Sequence, residues 1–415
     1  MSAATDRVPQ RTARLIGLDL FRAVAVFGML VAHVGPAAWT PGAGFGTVHP
    51  GWELFHSRMP AMFAFAAGLS LNLGGRSDAD GTRPGVVPTV IRAMLLAVCG
   101  VALRLLGTPA IVILVYFAAW FVMVLPLRRL RVRALLVVAG LWAVIGPLLS
   151  FAVRRTADLP DDALWKPAEV LWKVVVAGDY PALTWMPFVV AGLAVGRLDL
   201  SSTRVRARLA TAGTLLIGVG YGLSMLLLTH GVADRIMETL APAAGEDATQ
   251  QLARLFFQES GVTETGSWLW LVVPAPHSGS WADVLGCLGT CALLLALLLP
   301  LGDVARRVDG SEGRARRAVG VAISSIAAPG AMVLSIYAAH IVVMAVITAT
   351  TGHSFLGEQS VLMLAAFTGG LLLFASLWAR RFRRGPLEWL LGRGTVAIEQ
   401  AGRRVSAGSS RRSRP

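Results

Sequence analysis

Apolar residues run along this chain in blocks of about twenty, separated by short polar stretches rich in arginine, glycine and proline. A helix needs roughly 20 apolar residues to cross the hydrocarbon core of a bilayer. On that measure the pattern predicts ten spans, at 15–34, 57–73, 86–106, 109–126, 134–153, 183–197, 209–229, 282–301, 329–350 and 359–379. The second and sixth are short, and a Gly107-Thr108-Pro109 turn joins the third to the fourth. The predicted fold class is all-α: a polytopic integral membrane protein of about ten transmembrane helices. Residues 1–14 form an N-terminal segment, 15–379 the membrane domain and 380–415 a basic tail. The tail opens with RRFRRGPLEWLLGRG, which predicts a short interfacial helix followed by a disordered polar stretch.

Composition agrees with the pattern. At 55% hydrophobic and 15% charged, the 415 residues are too apolar for a soluble domain of this length. The net charge of +14 does not indicate nucleic acid, because the basic residues sit in short loops between apolar blocks. With both termini cytoplasmic, most of the 38 basic residues fall inside the cell, including Arg128, Arg129, Arg131 and Arg133 and the tail from Arg380. External segments carry the acidic Asp158, Asp161, Asp162, Glu246, Asp247, Glu259 and Glu264. The longest of them, 229–281, contains a mildly amphipathic QQLARLFFQES and the interfacial tryptophans of SWLWLVVPAPHSGSW. Arg7, Arg11 and Arg14 precede the first block as in a signal peptide. That block lacks an A-x-A site and holds Asp19 and Arg22, so a retained span is expected. Lys166 and Lys173 are the lysines of an otherwise arginine-based chain, a bias of GC-rich bacterial genes, so a bacterial plasma membrane is expected. Cys99, Cys287 and Cys291 all lie in apolar blocks, so no disulfide framework is predicted.

Candidate chemistry begins in the first span. Asp19, Arg22, Val26, Met29 and His33 fall on one helical stripe. Arg22 and His33 are separated by about 16 Å at the helical rise. Ionisable groups within a span cost a few kcal/mol unless partnered, so three on one stripe suggest a site. The bland alternative pairs Arg22 with Asp19 at the interface and leaves His33 as a helix end. His56, Ser57 and Arg58 stand at the mouth of the second span, with His49 in the loop before them. His277 precedes the eighth span and His340 lies inside the ninth. All the histidines except His340 map to the outer ends of spans. Arg128 and Arg131 are candidates for phosphate contacts on the inner side. No HxH or HxxxH spacing exists, so no metal is expected.

LDLFRAVAVFGMLVAH resembles the first helix of the membrane acyltransferase family 3, whose signature places a histidine eleven residues after an arginine, here Arg22 and His33. A closer resemblance is to the YeiB-like domain-of-unknown-function family 418. It is carried by LDLFRAVAVFGMLVAHVGP, HSRMPAMFAFAAGLSL, YPALTWMPFVVAGLAVGRLDL, APHSGSWADVLGCLG, MVLSIYAAHIV and RGPLEWLLGR. Ser57 departs from the glycine of the H-G-R in those relatives. The chain is also distantly similar to heparan-α-glucosaminide N-acetyltransferase, whose relatives have an acidic residue where His56 stands.

These resemblances imply an acyltransferase that moves an acyl group, most simply acetyl, from cytoplasmic acyl-CoA (acetyl-CoA) to a hydroxyl or amine at the outer face. The expected partners are the bilayer and an extracytoplasmic acceptor (a glycan, lipid-linked sugar or small molecule), with self-association into a homo-oligomer left open. They imply His33 as catalytic base; the roles of His56 and Arg58, orienting the acceptor or stabilising charge, are read from their place at the mouth of the second span and are not carried over from the relatives. Asp19, Arg22, Arg128 and Arg131 would serve the CoA donor, and His49, His277 and His340 the acceptor. A rival class is a permease whose polar path is lined by Asp19, Arg22, His33 and His340. If the acyltransferase expectation holds, His33 opens on a cavity shared with Arg22 and with at least one of His56, Arg58, His277 or His340.

Overall fold

The computed structural model describes residues 15–55, 58–73, 85–157, 167–240, 247–258, 261–308, 313–355, 360–382 and 384–412. Helix α1 (Ile16–Val34) is followed by a two-residue hairpin, β1 (Trp39–Thr40) and β2 (Thr47–Val48), and a single turn, α2 (Pro50–Glu53). Then come α3 (Arg58–Leu73), α4 (Val86–Arg104), α5 (Leu114–Met123), α6 (Val132–Thr156), α7 (Pro167–Trp172) and α8 (Ala182–Val195). The second half comprises α9 (Thr203–Met237), α10 (Ala248–Gln258), α11 (Trp281–Val308), α12 (Arg314–Ala331), α13 (Val333–Thr351), α14 (Val361–Arg381) and α15 (Pro386–Arg412).

Among the described residues, α1, α4, α6, α9, α11, α13 and α14 are long and apolar enough to cross a membrane. An eighth span arises if α7 and α8, bent by 63° at their junction, count as one. The protein is therefore a polytopic helical membrane protein. Its helices fall where the ten apolar blocks lie, but the second, fourth and sixth blocks form single helices of only 16, 10 and 14 residues. Two segments differ from the expected loops. The stretch after Arg314 forms α12, and the tail forms one helix of 27 residues instead of a short helix and a disordered end. Both are rich in Ala and Arg, strong helix formers, and α15 has no proline after its first position.

Large side chains stay exposed along the outward faces, such as Met94, Val98 and Val101 on α4, Val137, Leu141 and Ile145 on α6, and Leu362 and Leu373 on α14. That belt suits lipid rather than water. Inside, lipid-solvated helices gain little from apolar burial against each other, so close backbone packing at small residues carries association. Such seams recur here. A Cβ on Gly68 of α3 would sit 2.0 Å from the Val189 carbonyl oxygen of α8, and one on Gly192 would sit 2.0 Å from that of Phe65. The α1–α11 seam is built likewise on Gly17 and Gly302.

Two irregular segments shape the interior. α9 contains a π turn at Gly218–Gly222 and breaks at His230 and Gly231, where the backbone leaves the helical region, and α7 runs into a second π turn at Lys173–Ala177. Turns of this kind often present functional side chains. The end of α9, α10 and a 3₁₀ turn at Trp268–Val272 form a small separate core of Leu228, Ile236, Leu252, Trp270, Val273 and Ala275. This satellite core ends two residues before His277.

The chain also breaks between α12 and α13, after Pro329 and Gly330. There Glu388 of α15 caps the start of α13: its Oε1 accepts from the Leu334 and Ser335 amides at 2.7 and 3.2 Å, and its Oε2 from the Ser335 hydroxyl. Carboxylates at helix N-termini satisfy orphan amides and favour the dipole. Glu388→Ala should destabilise the protein by about 1–2 kcal/mol, read as a melting point lower by a few degrees in detergent, with Glu388→Gln retaining part of the loss.

Candidate functional site

His33 lies in the last turn of α1, one stripe above Met29 and Val26, as the spacing requires. His340 lies in the second turn of α13, where it is wholly buried. The bundle brings the two rings together: His33 Nδ1 is 3.1 Å from His340 Nε2, with the planes 17° apart and the centroids 5.2 Å apart. A centroid separation about two ring radii longer than the N···N distance puts both nitrogens on the line between the rings. The contact is thus an edge-to-edge, in-plane N–H···N hydrogen bond rather than a face-to-face stack.

His33 lines a cavity of about 50 Å³ with Met29, Phe63, Tyr180, His277 and Tyr337. The volume is room for one or two water-sized groups, nearer to an acetyl group than to a sugar. Tyr337 precedes His340 by one turn, packs edge-on against its ring at 5.2 Å, and is fixed by its hydroxyl, which accepts from the Ile113 amide and donates to the Ile111 carbonyl. Tyr180 comes from the bend between α7 and α8 and touches the rings of Tyr116, Trp185 and His277. The neighbouring Asp179 is held by Tyr116, whose hydroxyl donates to its carboxylate and accepts from its amide. His277 has φ of 58°, a left-handed conformation that a non-glycine residue holds only when its surroundings impose it.

Asp283 holds the turn that follows. Its Oδ2 accepts from the Gly279 amide at 3.1 Å, while its Oδ1 accepts from the Cys287 thiol. Ser280 ties the same turn to the Val273 carbonyl. Cys287 in turn meets the Tyr221 hydroxyl at 3.2 Å, and the Arg58 guanidinium lies 4.7 Å over the Tyr221 ring. Arg58 also pairs with Glu53 at 3.4 Å. The structure therefore directs Arg58 to the α9–α11 side, where it braces the entrance to α3, and not to the lining of the cavity at His33. His49 is a half-exposed residue at the start of α2, where its backbone amide bonds the Ala38 carbonyl. It is likewise not among the cavity's lining residues. His56 falls outside the described residues.

The candidates for the donor gather at the other end of α1. Arg22 pairs with Asp19 at 3.5 Å and donates to the Ser70 hydroxyl of α3. Arg92 of α4 lies within electrostatic reach of Arg22 and of Glu388. Two residues beyond Ser70, Asn72 meets Arg197, which binds the Arg128 and Leu130 carbonyls. Arg128 thus contributes its backbone to a clasp between α3, α8 and the turn before α6. Arg131 is exposed at the N-cap of α6. The cavity at His33 is lined neither by Arg22 nor by any of these residues. His277 lines the cavity with His33, and His340 bonds His33 without lining it, whereas Arg22 stands apart at the other end of α1.

Sequence reasoning passed over Tyr180, Tyr337, Asp283, Ser70 and Glu388. One signal was available. The chain has 16 Phe and 12 Trp but only four Tyr, and all four, Tyr116, Tyr180, Tyr221 and Tyr337, stand in or beside this polar network. No cluster of three or more His, Cys, Asp or Glu suited to a metal occurs among the described residues.

Comparison with known proteins places this geometry. No curated protein matches the chain. Residues 265–397 match a family described as a protein of unknown function (DUF418), a stretch that holds His277, Asp283, His340 and Glu388. Residues 14–228, just over half of the chain, match the catalytic region of heparan-alpha-glucosaminide N-acetyltransferase and hold Asp19, Arg22, His33 and Tyr180. A match of that extent in a polytopic membrane bundle makes the chain, joined to a DUF418 domain, a member of the heparan-alpha-glucosaminide N-acetyltransferase catalytic family.

Proposed function

We propose that this protein is a membrane acetyltransferase that carries an acetyl group from acetyl-CoA on the cytoplasmic side to a hydroxyl or amine acceptor at the outer face. The observation that carries the reading is the cavity at the C-terminal end of α1, where His33, His277, Tyr180 and Tyr337 converge. The catalytic family match holds His33 and Tyr180 and supports acetyl transfer, while His277 and Tyr337 fall in the DUF418 match.

In this reading the bundle has ten crossings and both termini inside. Arg22, with Asp19 and Ser70 fixing its side chain, and Arg92 offer charge to the phosphates of the donor. His33 takes the proton of the acceptor as it attacks the thioester carbonyl. The C–S bond breaks, the new C–O or C–N bond forms, and the proton passes on to the departing thiolate. His277 and Tyr180 line the side from which the acceptor enters and offer donors to the developing oxyanion. The small cavity implies that the acceptor approaches by its reacting group, with the rest of the molecule outside. Acceptor, chain in a bacterial plasma membrane and donor would meet in one passage along α1.

The test uses the full chain reconstituted in liposomes with acetyl-CoA labelled in its acetyl group. The expected result is release of CoA thiol and transfer of label to glucosamine, or to glycan and lipid extracts enclosed on the opposite side. Flux of a solute without acetyl-CoA, and no acetylated product, would instead support the permease.

A further inference from the structure

An imidazole acts as a base only through the nitrogen that carries its lone pair, so the placement of one proton decides whether His33 can do the work assigned to it. A neutral pair of imidazoles sharing one hydrogen bond has two arrangements. In the first, His340 Nε2–H donates to His33 Nδ1, so the proton of His33 sits on Nε2. In the second, His33 Nδ1–H donates to His340 Nε2. His33 then carries its lone pair on Nε2, the nitrogen that diverges from His340, and His340 carries its own proton on Nδ1.

The surroundings of His340 choose between them. Its Nδ1, the ring nitrogen nearer its own helix, is fully buried and has no hydrogen-bond partner among the described residues. The backbone carbonyls of Ile336 and Tyr337, one turn back on α13, nevertheless lie within electrostatic reach of the ring. A lone pair directed at carbonyl oxygens is repelled, whereas an N–H is attracted even when the geometry falls short of a full hydrogen bond. Tyr337 closes the remaining side of the ring edge-on. The proton of His340 belongs on Nδ1.

Resting on the proposed role of His33 as base, we propose that His340 is a positioning residue: it accepts the Nδ1–H of His33 and so keeps the lone pair of His33 on Nε2, ready for the acceptor. When His33 takes the acceptor proton on Nε2, the Nδ1–H of the resulting imidazolium stays bonded to His340 Nε2. In other hydrolases and transferases a carboxylate fills this place. A neutral imidazole does it here without burying a negative charge in the bundle.

The experiment combines two readouts on the full chain in detergent or nanodiscs. The first is ¹⁵N NMR of histidine-labelled protein without substrate, since protonated and bare ring nitrogens resonate far apart. In the wild type the bare nitrogen of His33, assigned by its loss in His33→Gln, should be Nε2. The second is thiol release from acetyl-CoA with glucosamine as acceptor. His340→Gln places an amide oxygen near the lost Nε2 and should retain activity within about tenfold, whereas His340→Phe should lower kcat by about 10²-fold with KM little changed. A wild-type His33 protonated on Nε2 overturns the proposal, even if the activity of Phe and Gln variants differs. Equal losses in the Gln and Phe variants overturn it as well. Should the NMR result hold while the wild type transfers no acetyl, the positioning stands and the acetyltransferase reading fails.

Discussion

His33→Ala should abolish acetyl transfer, lowering the rate by about 10²–10⁴-fold while leaving a folded protein. The size of the loss follows from what the ring does. Removing it takes away the proposed base and empties one wall of a cavity of about 50 Å³. The ring is half-buried and bonds another side chain, His340, so the backbone packing of α1 stays in place. The stability cost is that of leaving one buried imidazole nitrogen without its partner, about 1–3 kcal/mol. Thermal melting in detergent reads this second quantity and thiol release from acetyl-CoA the first. Imidazole added to the His33→Ala protein should restore part of the rate, since it matches the volume removed. A variant that melts normally and still transfers at the wild-type rate would exclude His33 from the chemistry.

Gly192→Leu should prevent a stable bundle from forming, and Gly68→Leu should do the same. At either position the first side-chain carbon would lie 2.0 Å from a carbonyl oxygen of the facing helix. The obstacle is backbone, so no rotamer change relieves it and α3 and α8 must separate. Overpacking a close-packed interior costs about 1–3 kcal/mol when side chains can adjust and more when they cannot. The separation would also disturb Asn72, which bonds the Leu193 carbonyl across the same seam. Gly140→Leu and Gly369→Leu are the controls, because a Cβ at these positions meets nothing within 4 Å. Size-exclusion profiles of the solubilised proteins should show monodisperse peaks for the controls and loss of the peak for the seam variants.

Much of the architecture was legible because a bilayer demands long apolar runs, and such runs are visible one residue at a time. The ends of α1, α4, α6 and α14 lie within a few residues of the predicted spans. What the pattern could not show is how the runs bend. α7 and α8 meet at 63° around Gly178–Pro181, and nothing in their hydropathy distinguishes a bent pair from a loop and a short span. The site divides in the same way. The Asp19–Arg22–His33 stripe needs only helical periodicity, so its geometry was readable. The meeting of His33 with His340 joins residues 307 positions apart, which no local spacing encodes. Arg58 illustrates the converse. It stands beside Met59, a cavity residue, yet one step along a helix turns the side chain by about 100° and toward Tyr221. Glu388 was hidden for a different reason: an acid in a basic tail looks like a solvated charge until the opening amides of α13 are found around it.

The clasp at Glu388 ties the C-terminal tail to the chemistry more directly than its distance in sequence implies. The carboxylate grips α13 at Leu334 and Ser335, and the imidazole that faces His33 hangs from the same rod only five residues further on, about 7.5 Å along its axis. A helix is stiff over so short a length. Whatever tugs, tilts or shortens the tail therefore shifts the ring, and an affinity tag or fusion partner joined at that end belongs among the variables of any rate measured on this protein.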